Sequence, residues 1–239
     1  MTADRHTAAI VPAAGRGERL GPGAPKALRL LGGAPLLVHA VRALSASHAI
    51  DVIVVAAPAG DLDEVRVMLD QAELATEVLV VAGGESRQDS VARALLALPA
   101  EIDVVLVHDA ARPLVPAELI ARVVAAVRSG HEAVVPGLPV ADTIKQVDEG
   151  NVVEATLNRA ALRAIQTPQG FARQVLQSAH AALDPESSPA TDDAGLVEAL
   201  GRPVLVIAGH EEAFKVTRPI DLVLAEAILA RRRSAGVLG

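Results

Sequence analysis

The stretch Ala8-Ala9-Ile10-Val11-Pro12-Ala13-Ala14-Gly15-Arg16-Gly17-Glu18-Arg19-Leu20 runs from a short apolar segment straight into glycine. Residues 8–12 predict a β-strand and residues 13–23 a glycine-rich turn. A strand that ends this way presents bare backbone N–H groups, which can cradle phosphate. Arg19 and the Pro25-Lys26 pair add mobile positive charge suited to a polyphosphate. An ordinary strand-to-helix turn needs only one glycine, so two glycines with two cations favour phosphate binding. Two better-known phosphate loops are excluded. Gly15-x-Gly17-x-x-Leu20 lacks the third glycine of a dinucleotide fingerprint, and the Gly-Lys-Ser/Thr ending of a P-loop is missing.

Outward from this turn, short β-branched runs alternate with alanine- and leucine-rich helical spacing. Residues 51–57 form a near-continuous apolar run, as expected for a parallel strand buried on both faces. Further strands are predicted at 77–82, 104–108, 133–136 and 204–208, and helices at 35–45, 62–71, 86–97, 117–129 and 221–232. The alternation implies an α/β layered domain with a mainly parallel sheet. Residues 140–153 break the rhythm. There β-type residues flank Asp148-Glu149-Gly150-Asn151, a hairpin signal in which Gly150 can take φ > 0. Such a hairpin, inserted into a parallel α/β chain, projects from the body. Residues 184–190 predict a loop before a helix capped near Thr191 or Asp192. No repeat, long linker or second composition regime interrupts the chain. One domain, 1–239, with an arm at about 138–160 is the expectation.

Composition removes several function classes. The 239 residues contain no cysteine, which excludes disulfides, thiolate catalysis and cysteine-ligated zinc. Aromatics at 1% leave no platforms for base stacking, although arginine stacking stays open. A net charge of −7 and a pI near 5.5 argue against nucleic acid as a partner. The hydrophobic share of 51% describes a folded chain rather than a disordered one. The first seven residues are polar, and charge, Gly or Pro interrupts every apolar stretch short of 18 residues. No signal peptide or membrane association is expected, and the default setting is cytoplasmic. Alanine is about a fifth of the chain, and only Lys26, Lys145 and Lys215 are lysines among 22 basic residues. That imbalance suits a GC-rich genome, so each remaining lysine is a candidate for a task that needs an ammonium.

Four further segments carry chemistry. Gly83-Gly84-Glu85-Ser86-Arg87-Gln88-Asp89-Ser90 follows a predicted strand and opens a helix; Ser86 as an N-cap with a solvated first turn explains it equally well. Val107-His108-Asp109-Ala110-Ala111-Arg112-Pro113 directly follows an apolar strand. Ligands of open α/β sheets sit beyond such strand ends, where Asp109 and Arg112 fall. A structural Asp–Arg pair is the alternative there, and His108 fits a packed core histidine. The third group is Asp142-Thr143-Ile144-Lys145 with Arg159 and Gln166-Thr167-Pro168-Gln169, and the fourth is Lys215-Val216-Thr217. Arg19 with Lys26, Arg112 with Arg159, and Lys215 make three cation clusters in an acidic protein. That suits two anionic substrates better than one.

Ala-Ala-Gly-x-Gly-x-Arg…Pro-Lys, Gly-Gly-x-x-Arg-x-x-Ser-Val, His-Asp-Ala-Ala-Arg-Pro, Asp-Thr-x-Lys, Thr-Pro-Gln and Lys-Val-Thr-x-Pro-x-Asp-Leu occur in this order. In this the chain resembles the 2-C-methyl-D-erythritol 4-phosphate cytidylyltransferases of the non-mevalonate isoprenoid pathway, over roughly residues 7–229. The resemblance implies a Rossmann-like nucleotidyltransferase three-layer fold with a projecting β-hairpin arm. It also implies a reaction in which a phosphate oxygen of methylerythritol phosphate attacks the α-phosphorus of CTP in line, expelling pyrophosphate. Phosphoryl chemistry of this kind is mostly positioning and charge neutralisation.

Carried over position by position, the resemblance makes Arg19, Lys26 and Lys215 catalytic. It lays Pro12, Ala13, Ala14, Gly15, Gly84, Glu85 and Ser90 along CTP, and gathers the acceptor with Asp109, Arg112, Thr143, Arg159 and Thr167. Mg²⁺ would be held largely by the CTP phosphates, with no protein ligand assigned, although Asp109 would either meet an acceptor hydroxyl or position the Mg²⁺-bound complex. Members of the family are homodimers whose hairpin reaches the neighbouring site, so Thr143 and Arg159 would act in trans. Glu85 stands where many relatives carry Asp. Relatives fused to a cyclodiphosphate synthase carry an Asp-x-His metal motif; here that triplet occurs only as Asp4-Arg5-His6, so a monofunctional chain is expected. Two rivals remain: a cytidylyltransferase for another polyol phosphate such as ribitol 5-phosphate, and a non-catalytic nucleotide sensor, which would need no transition-state cations.

Overall fold

The computed structural model describes residues 6–15, 25–182 and 191–235. Strand β1 (His6–Pro12) is followed by a 3₁₀ turn at Lys26–Leu28, the two-residue strands β2 (Leu30–Leu31) and β3 (Ala34–Pro35), and helix α1 (Leu36–Ala46). Three strand–helix units come next: β4 (Val52–Ala57) with α2 (Leu62–Asp70), β5 (Glu77–Ala82) with α3 (Arg87–Leu96), and β6 (Ile102–Val107) with α4 (Ala117–Arg128). The second half is less regular. It comprises β7 (Ala133–Pro139), β8 (Lys145–Val147), β9 (Val153–Thr156), β10 (Arg163–Ile165) and β11 (Gln169–Ala172). Helices α5 (Arg173–Ala181) and α6 (Asp193–Ala199), strand β12 (Leu205–Ala208) and helix α7 (Pro219–Ser234) complete the order.

The main sheet runs β10-β7-β11-β6-β1-β4-β5, with β12 also paired to β7. Its centre is parallel: β1 lies between β6 and β4, and β4 pairs with β5. Beyond β6 it is mixed, because β11 runs antiparallel to both β6 and β7. Alternation along the central strands divides the core. Ala9, Val11, Ile53, Val55 and Leu106 pack with Leu37, Val41, Ile120 and Val123 from α1 and α4. Ala8, Ile10, Val54 and Val105 pack on the other face with Val91, Leu95 and Leu176 from α3 and α5. Helices on both faces give the three layers and explain why these strands are apolar over most of their length, with His6, Thr7 and Asp103 confined to the N-terminal ends of β1 and β6. A smaller cluster, including Leu31, Leu36, Val216 and Leu229, seats α7. Among the described residues, no helix is long and apolar enough to cross a membrane.

Most element ends fall within two residues of the sequence expectation, which is the scatter of helix and strand boundaries themselves. The hairpin differs in detail. Its strands β8 and β9 form a separate two-stranded sheet, placed later than residues 140–153 would suggest. The left-handed residue of its turn is Asn151 (φ 61°), not Gly150. Asp148 explains this: its carbonyl accepts from the Asn151 N–H at 3.1 Å and its carboxylate from the Val152 N–H at 2.8 Å. Asparagine tolerates that backbone conformation.

Strand β11 and helix α5 have no counterpart among the sequence expectations. A four-residue strand built from Gln169-Gly170-Phe171-Ala172 has little β character of its own. Gly170 is required by tertiary packing, since a Cβ there would run into Val123 and Val127 of α4.

Candidate active site

The C-terminal ends of β1, β5 and β6 open into one cleft of about 200 Å³. Pro12, Ala13, Ala14 and Gly15 leave β1, Gly84 to Arg87 leave β5, and Asp109 to Ala111 leave β6; Lys26 and Lys215 close the sides. This is where a parallel α/β sheet exposes backbone N–H groups to a ligand. Of the residues assigned to catalysis and to CTP, Lys26, Lys215, Pro12, Ala13, Ala14, Gly15, Gly84, Glu85 and Ser90 all line this cleft, as does Asp109. Arg19 lies outside the described residues.

Asp109 is the electrostatic centre. It is 9% exposed, and three cations surround it: Lys215 Nζ at 2.8 Å, Arg87 Nε at 3.5 Å and Arg112 Nε at 3.7 Å. Burial alone would raise its pKa, but Lys215 and Arg87, followed by Arg112, outweigh that and hold the carboxyl well below the usual carboxylate range. The cleft floor is therefore a fixed carboxylate ringed by excess positive charge. A polyanion arriving there meets ammonium and guanidinium groups that are already oriented.

The second glycine turn is built by its own serines. Ser86 caps α3, accepting from the Asp89 N–H at 3.0 Å. Ser90, 2% exposed, accepts from the Gly84 N–H at 3.0 Å and donates to the Ser86 carbonyl at 2.9 Å. Its hydroxyl is thus committed to shaping the loop that faces the nucleotide position. A Cβ on Gly84 would overlap the Asp89 carboxylate, so the close approach demands glycine.

Arg112 and Thr167 lie behind Asp109 rather than in the cleft wall. Arg112 is 8% exposed and donates to the carbonyls of Ala213 at 2.7 Å and Ile165 at 3.3 Å. Thr167 Oγ1 accepts from the Asp109 N–H at 3.0 Å and meets His108 Nδ1 at 3.0 Å. His108 Nε2 faces the Arg112 carbonyl at 3.1 Å. A carbonyl can only accept, so Nε2 carries the proton and the Thr167 hydroxyl donates to Nδ1. Thr143 and Arg159 sit on the arm, exposed and away from this cleft; Arg159 donates to the Ala141 carbonyl at 2.5 Å.

The neighbouring Gln166 and Gln169 act as clasps. Gln166 bonds the backbone N–H and carbonyl of His210 at 3.0 and 2.9 Å. Gln169 donates to Asp192 at 2.6 Å and accepts from the Ala194 N–H at 3.2 Å.

His108 is fully buried and neutral, as its strand-end position suggests. Burial is the main reason its pKa falls from 6.5 to about 4, with Asp109 pulling the other way. The unfolded imidazole takes up its proton near 6.5, so the stability contributed by the neutral folded form is complete above that pH. It is lost as the pH falls to about 4. At roughly 1.4 kcal/mol per pH unit, the loss is about 3 kcal/mol. Melting curves from pH 7 to pH 4 should fall more steeply for the native chain than for His108→Asn; equal slopes would refute this assignment.

Arg87 is a cleft-lining residue to which the sequence reading assigns no role, since a solvated helix turn accounts for it locally. It lines the cleft and joins Asp109 to Asp193 of α6. Its local signal is ambiguous because a cation at a helix N-terminus is electrostatically unfavourable and needs distant carboxylates to hold it.

A divalent ion would find few protein ligands here. Among the described residues, no group of three or more His, Asp or Glu side chains could hold a metal. The cleft's carboxylates among the described residues are Asp109 and Glu85. That donor set fits Mg²⁺ only as a companion of substrate phosphates, in keeping with the ion's habit of retaining waters and one or two carboxylates.

Comparison with known proteins identifies the family. The profile of the 2-C-methyl-D-erythritol 4-phosphate cytidylyltransferase family matches residues 7–231. A relative of that name from Streptomyces avermitilis is 59% identical over 235 residues, covering 95% of this chain and 93% of its own. One from Nocardia farcinica is 51% identical, covering 96% of both. Among solved structures, the Thermus thermophilus enzyme of that name is 40% identical with a TM-score of 0.75, covering 93% of this chain and 98% of its own. The 4-diphosphocytidyl-2C-methyl-D-erythritol synthase of Anaerococcus prevotii is 28% identical with a TM-score of 0.82, covering 95% and 99%. With the glycine turns, the paired lysines and Asp109 converging on one cleft, the chain belongs to the 2-C-methyl-D-erythritol 4-phosphate cytidylyltransferase family.

Proposed function

We propose that this cytidylyltransferase carries out its family's reaction in the cleft above: the cytidylyl group of CTP passes to 2-C-methyl-D-erythritol 4-phosphate, giving 4-diphosphocytidyl-2-C-methyl-D-erythritol and pyrophosphate. The observation that carries the assignment to this cleft is the convergence of Lys26 and Lys215 beside Asp109, between two glycine turns. The nucleoside lies along Pro12–Gly15 and the Gly84–Ser90 turn, which offer backbone groups where aromatic rings are lacking. The triphosphate lies toward the two lysines, with Arg19 as a third cation from the first turn.

The acceptor phosphate oxygen attacks the α-phosphorus as the bond to the leaving pyrophosphate breaks. Negative charge grows on the α-phosphate oxygens, and oriented ammonium groups stabilise it there more than in the ground state. No general base is required, because a phosphomonoester is already ionised at neutral pH. The buried, neutral His108 is consistent with that. Mg²⁺ would be held mainly by the CTP phosphates, with Asp109 and Glu85 as the cleft carboxylates available to it, and would supply further charge neutralisation. Asp109, held by its cations, orients Lys215 and is placed to meet an acceptor hydroxyl. Arg112 and Thr167 spend their polar groups on protein partners, so any acceptor contact from them exchanges one of those bonds.

The acceptor site is completed by a second copy of the chain. The β8–β9 arm exposes Val147, Val152 and Val153 at 46%, 64% and 53%, a large apolar share for a free two-stranded hairpin. It also carries Thr143 and Arg159, whose own cleft is out of contact. We therefore assign the protein as a homodimer with exchanged arms, working in the cytoplasm where its nucleotide substrate is found.

The reaction is tested by incubating the protein with CTP, Mg²⁺ and each polyol phosphate and measuring pyrophosphate. Release with methylerythritol phosphate is the expected result. Release only with ribitol 5-phosphate would replace the acceptor, and none with any acceptor would favour a sensor. Arm exchange has its own test. Lys26→Ala and Arg159→Ala chains, each nearly inactive, should recover about a quarter of native activity when co-expressed, because half the dimers then hold one intact site. No recovery would mean that each site is built from one chain.

A further inference from the structure

A buried chain of charges leads away from the cleft floor. Arg87 contacts Asp109 through Nε at 3.5 Å, and its Nη1 donates to Asp193 Oδ2 at 2.6 Å. Asp193, fully buried at the first turn of α6, bonds His180 Nε2 through its other oxygen at 3.0 Å. The guanidinium is thus shared between two carboxylates, and its tighter contact points away from the substrate cleft.

This sharing has a consequence for Lys215. Asp109 has one carboxylate, and Lys215, Arg87 and Arg112 all face it. Were Arg87 released from Asp193, its full charge would turn to Asp109 and compete with Lys215 for the same oxygens. A buried carboxylate that lines no cleft is also costly to keep. Arg87 stands at the start of α3, where the helix dipole disfavours a cation, whereas Asp193 in the first turn of α6 is favoured by the dipole of its own helix.

We propose that Asp193 is a positioning residue for the reaction: by holding Arg87, it fixes how Asp109 is divided between Arg87 and Lys215. Lys215 then keeps the place from which it meets the phosphates. His180 in turn holds Asp193. The proposal rests on the assignment of the cleft to CTP.

The test uses the full-length enzyme with CTP, Mg²⁺ and methylerythritol phosphate. Native activity in the same assay establishes the cleft's function independently of the variants. Asp193→Asn keeps the shape and removes the charge. It should lower kcat about 10-fold while leaving the KM for CTP within about twofold. In an Arg87→Met background, the same substitution should change kcat less than about twofold, because the positioned group is already gone. A purely structural role would instead add its effect in both backgrounds. His180→Asn, a milder change that leaves both charges in place, should lower kcat roughly two- to fivefold. It carries the test if Asp193→Asn does not accumulate as folded protein. Unchanged kcat in the folded variant, or full additivity with Arg87→Met, would overturn the proposal.

Discussion

Lys26→Ala lowers the rate of cytidylyl transfer at least ~100-fold, the scale of losing one preorganised charge contact to a transition state. The loss should fall on kcat more than on the KM for CTP, since charge on the α-phosphate grows only during reaction. The local 3₁₀ turn should persist. Lys26 opens a 3₁₀ turn whose backbone is secured by the Leu28 N–H to the Pro25 carbonyl at 2.9 Å, and that bond does not involve the side chain. Steady-state kinetics and a melting curve together decide the point. A near-normal kcat would remove Lys26 from the chemistry, and a collapse in Tm would make its role structural.

Asp109→Asn has the largest combined effect, because it strikes stability and rate together. Substitution leaves Arg112 buried with only carbonyl partners and takes from Lys215 its carboxylate, while Arg87 keeps Asp193 alone. Breaking a buried charge cluster by removing one partner costs about 3 kcal/mol or more. For a chain of this size that lowers Tm by roughly 6–12 °C. The rate should drop at least ~100-fold as Lys215 loses its anchor. The pH dependence has a definite sign. Asp109 titrates lower when folded than its ordinary 3.8, so its stabilisation is present above about pH 4 and is lost as the pH falls below it. Asp109→Asn should therefore differ most from the native chain near neutrality, and the two should converge in acid. A gap that widened on acidification would contradict the arrangement.

The contrast between Arg87 and Lys26 marks what can be seen in the sequence. Lys26 stands out locally, as one of three lysines beside a glycine turn. Arg87 is one arginine among many at a helix start, and its meaning comes from Asp109 and Asp193, which are far away in the chain. The same holds for Arg112. Resemblance assigns it to the acceptor, yet its guanidinium is bonded to the carbonyls of Ala213 and Ile165, partners that no spacing rule connects to it. Ser90 is assigned to the nucleotide in the same way, and its hydroxyl is spent within the loop.

The alternation of strand and helix, the central parallel strands, the glycine turns and the lysines beside them were determined by sequence alone. These depend on periodicity and turn chemistry, which act within a few residues. Tertiary structure alone decided that Gly170 must lie beneath α4, that β11 inserts antiparallel between β6 and β7, and that Arg87 bridges Asp109 to Asp193. Those features are set by close packing and by charges meeting across the fold. Arg87 and Asp193 lie 106 residues apart, and only the folded chain brings them within 2.6 Å.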